Sequence, residues 1–143
     1  MKVVVDTNVL DAELLSPFGT PGKVLRMIAS GGVRLCFDAR ILTEYEEVLA
    51  RPKFRFNAEQ TRALMDHIQA EGFSVASNPL PVRLPDPSDE PFLESAVTGK
   101  ADCLITGNTR HFPPARRQGM TVLSPREFLD YYRKRSKSRP RRE

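Results

Sequence analysis

Short runs of apolar, largely β-branched residues alternate along this chain with longer stretches whose apolar residues recur at helical spacing. That alternation restricts it to an α/β fold. Lys2–Val5 reads KVVV, the pattern of a buried strand. Val33–Phe37, Phe73–Ala76, Cys103–Thr106 and Thr121–Leu123 are expected to be further strands, and Cys-Leu-Ile in the fourth is apolar enough to be covered on both faces. Between them lie helical patterns. Pro21–Ser30 carries Val24, Leu25 and Ile28 and is stopped by Gly31-Gly32. A second helix starts from Asp38 as N-cap and runs to about Ala50, with Ile41, Leu42, Tyr45, Val48 and Leu49 on one face and Pro52 after it. A third runs from Asn57 to Glu71, turning Ala63, Leu64 and Ile68 inward, and Gly72 ends it. Asp89–Gly99 turns Phe92, Leu93, Ala96 and Val97 inward. The last helix opens on Ser124-Pro125 and runs to about Lys134. Strands separated by helices pair in parallel, so the expectation is a mainly parallel sheet with helices on both faces.

A chain of 143 residues makes one domain and can bury a core without disulfides or structural zinc. Residues 77–88, with Pro79, Pro81, Pro85 and Pro87, read as a loop, because the chain beyond them is too short to be a domain by itself. Cys36 and Cys103 sit in apolar runs without a CxxC partner, which indicates buried, reduced thiols. No apolar run approaches the ~20 residues that span a bilayer, and the apolar start is too short for a secretory signal. A cytoplasmic protein without membrane attachment is therefore expected. The net charge of +4 is unevenly placed: residues 133–143, RKRSKSRPRRE, carry +6, which leaves the rest at −2. The expected division is a folded domain over 1–132 and a flexible basic tail over 133–143, suited to binding a polyanion.

Sites in parallel α/β sheets form beyond the carboxyl ends of the strands. Here the first strand runs into Asp6-Thr7-Asn8 and the fourth into Gly107-Asn108-Thr109. Glu44 falls early in the helix after the second strand, and Asp89 opens the helix before the fourth. Carboxylates gathered at one edge repel one another, and a divalent cation relieves that repulsion. A hard ion such as Mg²⁺ takes oxygen ligands, acidifies bound water and polarises a phosphodiester. Taken singly, each residue also has a plainer role. Asp6 and Asn108 suit turns, Asp86, Asp89 and Glu90 suit a helix start, and Glu44 suits a solvated face, as Glu46 and Glu47 do. His111 reads as a surface loop residue or a phosphate contact, and His67 as a structural or exposed helix residue.

The order of these segments carries a resemblance. VVVDTNVL, ILTEYEEVL, DPSDEPFLESAVTGKADCLITGN and the HFP after it resemble the PIN-domain family over roughly residues 1–130, in particular its members described as toxins of bacterial toxin–antitoxin systems. The resemblance implies an α/β/α sandwich, Mg²⁺- or Mn²⁺-dependent cleavage of single-stranded RNA, a homodimer and a cognate antitoxin partner. It implies that Asp6, Glu44, Asp89 and Asn108 form the catalytic and metal-binding set, with Asp86 an alternative to Asp89. Asn108 stands where many relatives have Asp, so it brings an amide oxygen without charge. Thr7, Asn8 and Thr106 would orient those ligands, and Arg110, Arg116 and Arg117 would contact RNA. A catalytically weak RNA- or protein-binding module on the same fold is the alternative, and Asn108 is the feature that favours it. A haloacid-dehalogenase-type phosphatase is disfavoured, because Asn8 occupies the place of its second acid.

Overall fold

The computed structural model describes residues 1–10, 19–51 and 57–138. Its core is a five-stranded sheet in the order β3-β2-β1-β4-β5, formed by β1 (Lys2–Val5), β2 (Arg34–Phe37), β3 (Phe73–Ser74), β4 (Cys103–Ile105) and β5 (Val122–Leu123). Every neighbouring pair is parallel. The helices are α1 (Thr20–Ala29), α2 (Ala39–Leu49), α3 (Ala58–Glu71), α4 (Glu90–Thr98) and α5 (Pro125–Ser138), and residues 7–10 are also helical. The crossovers from β1 to β2 to β3 step one way across the sheet, and the crossover to β4 steps back over β2 and β1. With right-handed connections, α1 and α3 fall on one face and α4 on the other. The packing agrees: α4 lies on β1, β2 and β4, while α1 packs against both α3 and α5. This is the α/β sandwich expected from the sequence.

Local chemistry sets the element ends. Asp38 caps α2 by accepting from the Ile41 N–H at 3.0 Å. Asn57 and Gln60 form a reciprocal capping box on α3, and Ser124 and Glu127 do the same on α5. Pro87–Asp89 is a 3-10 turn rather than the first turn of α4, because Asp86 caps it through Ser88. Two inward assignments fail. Ala63 is exposed, and Met65 is buried with Ile68 in its stead. Val97 is 36% exposed, whereas Glu94 and Ser95, earlier in the same helix, are buried. The last helix also continues four residues past Lys134, to Ser138. Apolar pattern alone missed this because a polar contact helps hold the extension: Arg135 donates to Asp102 Oδ1 at 3.0 Å and to the Tyr131 hydroxyl at 2.9 Å. Pro52 and residues 139–143 of the expected tail lie outside the described residues. Cys36 and Cys103 are buried free thiols, as expected. Among the described residues no helix is long and apolar enough to cross a membrane.

Gly72 joins α3 to β3 where the chain leaves no room for a side chain. A Cβ there would stand 2.6 Å from the carbonyl oxygens of Ile68 and Leu35 and from Cε1 of Phe37. Two of the three obstacles are backbone, so they cannot swing aside. Gly72→Ala is expected to destabilise the protein by about 1–3 kcal/mol, the usual cost of overpacking a tight core. Urea denaturation would register this as a lower midpoint at unchanged slope. An unchanged midpoint would mean that the α3–β3 junction is looser than its geometry implies.

Candidate active site

Strand order reverses between β1 and β4, and in open parallel sheets the carboxyl edge at such a switch point is where a crevice is expected. Asp6 ends β1 at this edge and Thr106 ends β4. The Asp6 N–H donates to the Ile105 carbonyl at 2.8 Å, which continues the ladder one residue past β1. The buried Tyr45 hydroxyl donates to the Val5 carbonyl from α2 below. Asp6 is therefore fixed by backbone on one side and by a buried phenol on the other.

A chain of hydrogen bonds leads outward. Thr106 Oγ1, itself fully buried, donates to Asp6 Oδ2 at 2.9 Å and accepts from the Asn108 N–H at 3.1 Å. Asn8 joins the same loop: its Nδ2 donates to Thr106 Oγ1 at 3.4 Å, its Oδ1 accepts from the Gly107 N–H at 2.9 Å, and its N–H donates to Asp6 Oδ1 at 3.4 Å. The Asn108 side chain turns to His111, with Nδ2 2.9 Å from Nε2. The other ring nitrogen of His111 lies 3.1 Å from Asp89 Oδ2. That approach is off line, and Oδ2 of the buried Asp89 has no aligned hydrogen bond. Thr7 Oγ1 is likewise buried without one.

The charges are consistent with crowding. Burial pushes the Asp6 carboxyl up to about 6; the hydroxyl of Thr106 and the N–H of Asn8 oppose this, and the charge of Asp89 adds to it. Burial also raises Glu44 and Asp89. Asp6 pushes Glu44 further up and Thr7 opposes, while His111 opposes the rise at Asp89 and Glu44 adds to it. The three acids thus feel one another. The capping and bridging acids behave in the opposite way. Asp38 and Asp102 are held low by hydrogen bonds that outweigh their burial. Exposed Asp86 is held low by its bonds to Ser88. That contrast separates Asp89, raised by burial among charges, from Asp86, a turn cap.

The structure brings Asp6, Glu44 and Asp89 into electrostatic reach at one edge, with Thr7, Asn8, Thr106 and Asn108 beside them. The arginines are less closely gathered. Arg110 is exposed, Arg116 donates to the Arg83 carbonyl at 3.0 Å, and Arg117 donates to the Phe112 carbonyl at 2.6 Å. His67, at 3.1 Å from the Ile28 carbonyl, is structural. His111 is more than the surface residue expected. Its side chain is 45% exposed yet meets two members of the site. The signal in the sequence was its place three residues after a strand-end Asn, one 3-10 turn on. Among the described residues no three carboxylate, thiolate or imidazole groups stand close enough to enclose a cation directly. The donor set nonetheless fits a hard cation that keeps several waters and takes one or two carboxylates, as Mg²⁺ does, and Asp89 Oδ2 is an oxygen in want of a partner.

The raised Asp6 carboxyl has a measurable consequence in metal-free protein. Below the ordinary aspartate value of 3.8 the group is neutral folded and unfolded, and it costs nothing. Between that value and about 6 the unfolded chain ionises the group while the folded protein keeps it protonated, so stability falls by up to ~3 kcal/mol. The loss is complete above about 6, where the folded protein carries a buried charge. Asp6→Asn is therefore expected to raise the melting temperature at about pH 8 in EDTA and to bring little gain at about pH 3.5. Equal effects at both values would show that the charge carries no such cost.

Comparison with known proteins points the same way. The family model described as PIN domain matches residues 2–110, a span that holds Asp6, Glu44, Asp89 and Asn108. An uncharacterized protein of Methanocaldococcus jannaschii is 27% identical over 144 residues, covering 94% of this chain and 93% of that one. With a five-stranded parallel sheet and with acids at its switch point, the chain belongs to the PIN-domain family, whose fold serves nuclease-type chemistry.

Proposed function

We propose that this protein is an endoribonuclease that cleaves single-stranded RNA with Mg²⁺ or Mn²⁺. The observation that carries this reading is the trio of Asp6, Glu44 and Asp89 at the carboxyl edge of the sheet, each raised by burial and further by a neighbouring acid. Such a set is electrostatically unfavourable without a cation. Asp6 and Asp89 would hold the ion, with Glu44 and Asn108 at its margin. A bound divalent ion supplies Lewis acidity and lowers the pKa of water at neutral pH. The protein's own part is positional. Thr106 and Asn8 hold the Asp6 carboxylate in one orientation, and Tyr45 fixes the backbone beneath it. Glu44 is half-buried and raised, and is suited to take a proton from attacking water. Among the described residues, no serine, cysteine or histidine pair at this edge has the arrangement of a covalent nucleophile and its base. Hydrolysis by water would leave a 5′-phosphate and a 3′-hydroxyl.

The cations needed to hold RNA come from Arg110 and from the last turns of α5, where Arg133 and Lys134 are exposed. We further propose that the protein acts in the cytoplasm as the toxin of a toxin–antitoxin pair, as a homodimer restrained by its antitoxin. The toxin reading rests on resemblance, whereas the nuclease reading also rests on the acids. A weakly catalytic binding module is the competing reading, and the uncharged Asn108 together with the absence of a preformed chelate among the described residues favours it.

Incubation of the protein with unstructured RNA separates the two. Mn²⁺- or Mg²⁺-dependent cleavage to 5′-phosphate ends, lost in excess EDTA and at least 100-fold slower in Asp6→Asn, is expected if roughly 2.7 kcal/mol of transition-state stabilisation is lost. Metal-independent cleavage or 2′,3′-cyclic phosphate ends would refute the nuclease mechanism. RNA binding without cleavage would favour the module. Replacing Arg133 and Lys134 by Gln is expected to lower the slope of log affinity against log salt by roughly 1.4, two phosphate contacts on single-stranded RNA. An unchanged slope would remove α5 from the RNA surface.

A further inference from the structure

We infer that His111 is a positioning residue for Asp89, and that Asn108 works by fixing the tautomer of His111 rather than by standing in for a missing acid. The proposal rests on the nuclease reading only in giving Asp89 a cation to hold. Its basis is the sequence of contacts Asn108 Nδ2 to His111 Nε2 at 2.9 Å and His111 Nδ1 to Asp89 Oδ2 at 3.1 Å. Two nitrogens at 2.9 Å share one proton between them, and an amide NH₂ can only donate. Nε2 of His111 must therefore present its lone pair, and the ring proton stays on Nδ1, facing the carboxylate. The opposite amide orientation would demand a proton on Nε2. The Nδ1 lone pair of a neutral ring would then meet the lone pairs of Asp89, which is repulsive. The Asn108 N–H is in turn anchored on Thr106 Oγ1, the same hydroxyl that donates to Asp6 Oδ2. One hydroxyl thereby ties the placement of both acids to the end of β4.

The off-line approach of Nδ1–H matters to this role. It holds the carboxylate near the ring without an aligned hydrogen bond, so Oδ2 keeps its lone pairs for a cation. Phe112, fully buried next to His111, and Arg117, which binds the Phe112 carbonyl, hold the 3-10 turn that carries the ring. A negatively charged residue at position 108 could not donate to Nε2, so the tautomer and the charge at this corner would both change. Asn thus supplies a donor that a carboxylate at this position could not.

The test uses asparagine and glutamine as mimics of the two ring nitrogens. The amide of Asn reaches the place of Nδ1, and that of Gln the place of Nε2. In metal-free, full-length protein at about pH 8, long-range proton–nitrogen NMR should find His111 as the Nδ1–H tautomer. Asn108→Ala should convert it to the Nε2–H form that free imidazole prefers. Mn²⁺ binding without RNA, followed by the spin-resonance signal of the free ion, should weaken roughly 10-fold or more in His111→Gln and stay within about twofold in His111→Asn. Because the His111 side chain is 45% exposed, neither variant should threaten folding. An Nε2–H tautomer in the wild type, or one unmoved in Asn108→Ala, would overturn the proposal, as would equal Mn²⁺ affinities of the Asn and Gln variants. The tautomer is read without metal or substrate. Wild-type protein that shows the Nδ1–H form but binds no Mn²⁺ would therefore count against the nuclease reading while upholding the link from Asn108 to His111.

Discussion

Strand β1 is paired on both edges, with β2 through Lys2 and Val3 and with β4 through Val3, Val4 and Val5. Its last pair, Val5 with Ile105, and the Asp6 N–H bond beyond it determine that Asp6 and Thr106 emerge side by side. A parallel pair cannot slip by one residue without turning every side chain to the other face. With Val3, Val4 and Val5 buried on both faces, the register is held by the whole core. The site inherits this rigidity. Its innermost hydrogen bond, Thr106 to Asp6, spans two strands that lie a hundred residues apart in sequence.

Around that fixed pair the remaining groups are arranged by helices and turns. Glu44 comes from α2, whose start is capped by Asp38 and whose buried Tyr45 reaches the backbone of β1. Asp89 stands where a 3-10 turn gives way to α4. The two kinds of acid in this protein are distinguished by environment rather than by residue type. Asp38, Asp86 and Asp102 are held low because their hydrogen bonds outweigh burial, whereas at Asp6, Glu44 and Asp89 burial outweighs the groups that oppose it and the neighbouring acids add to the rise. Only the second kind has electrostatic work for a cation to do.

Much of this was legible in the sequence, because hydrophobic period and capping are local. KVVV, CLIT, Asp38, Asn57 and Ser124 reveal strands and helix starts without any tertiary knowledge. The alternation of elements implies a parallel sheet, and a parallel sheet brings the residues that follow its strands to one edge. What escaped was set by contacts between distant segments. Ala63 and Val97 are apolar enough for a core, yet the direction of the neighbouring element leaves them outside. The extension of α5 draws on an ion pair with a residue 33 positions earlier. The role of His111 depends on which carboxylate the turn brings within reach, and neither residue's own neighbourhood in the sequence encodes that.

Asp102 accepts from the Lys2 N–H through one oxygen and from Arg135 through the other, so it gathers the start of β1 and the far end of α5 at the amino edge of the sheet. The acids lie at the carboxyl edge. On the proposed reading the cations of α5 are one pole and the acids another, at opposite ends of the strands. An approaching polyanion is drawn to the first pole and repelled by the second until a cation neutralises it. Capture and cleavage would then be separate events in space. On that reading, a strand held at α5 would have to lie along the flank of the domain before its backbone reached Asp6, which would favour long, flexible RNA over short or folded pieces.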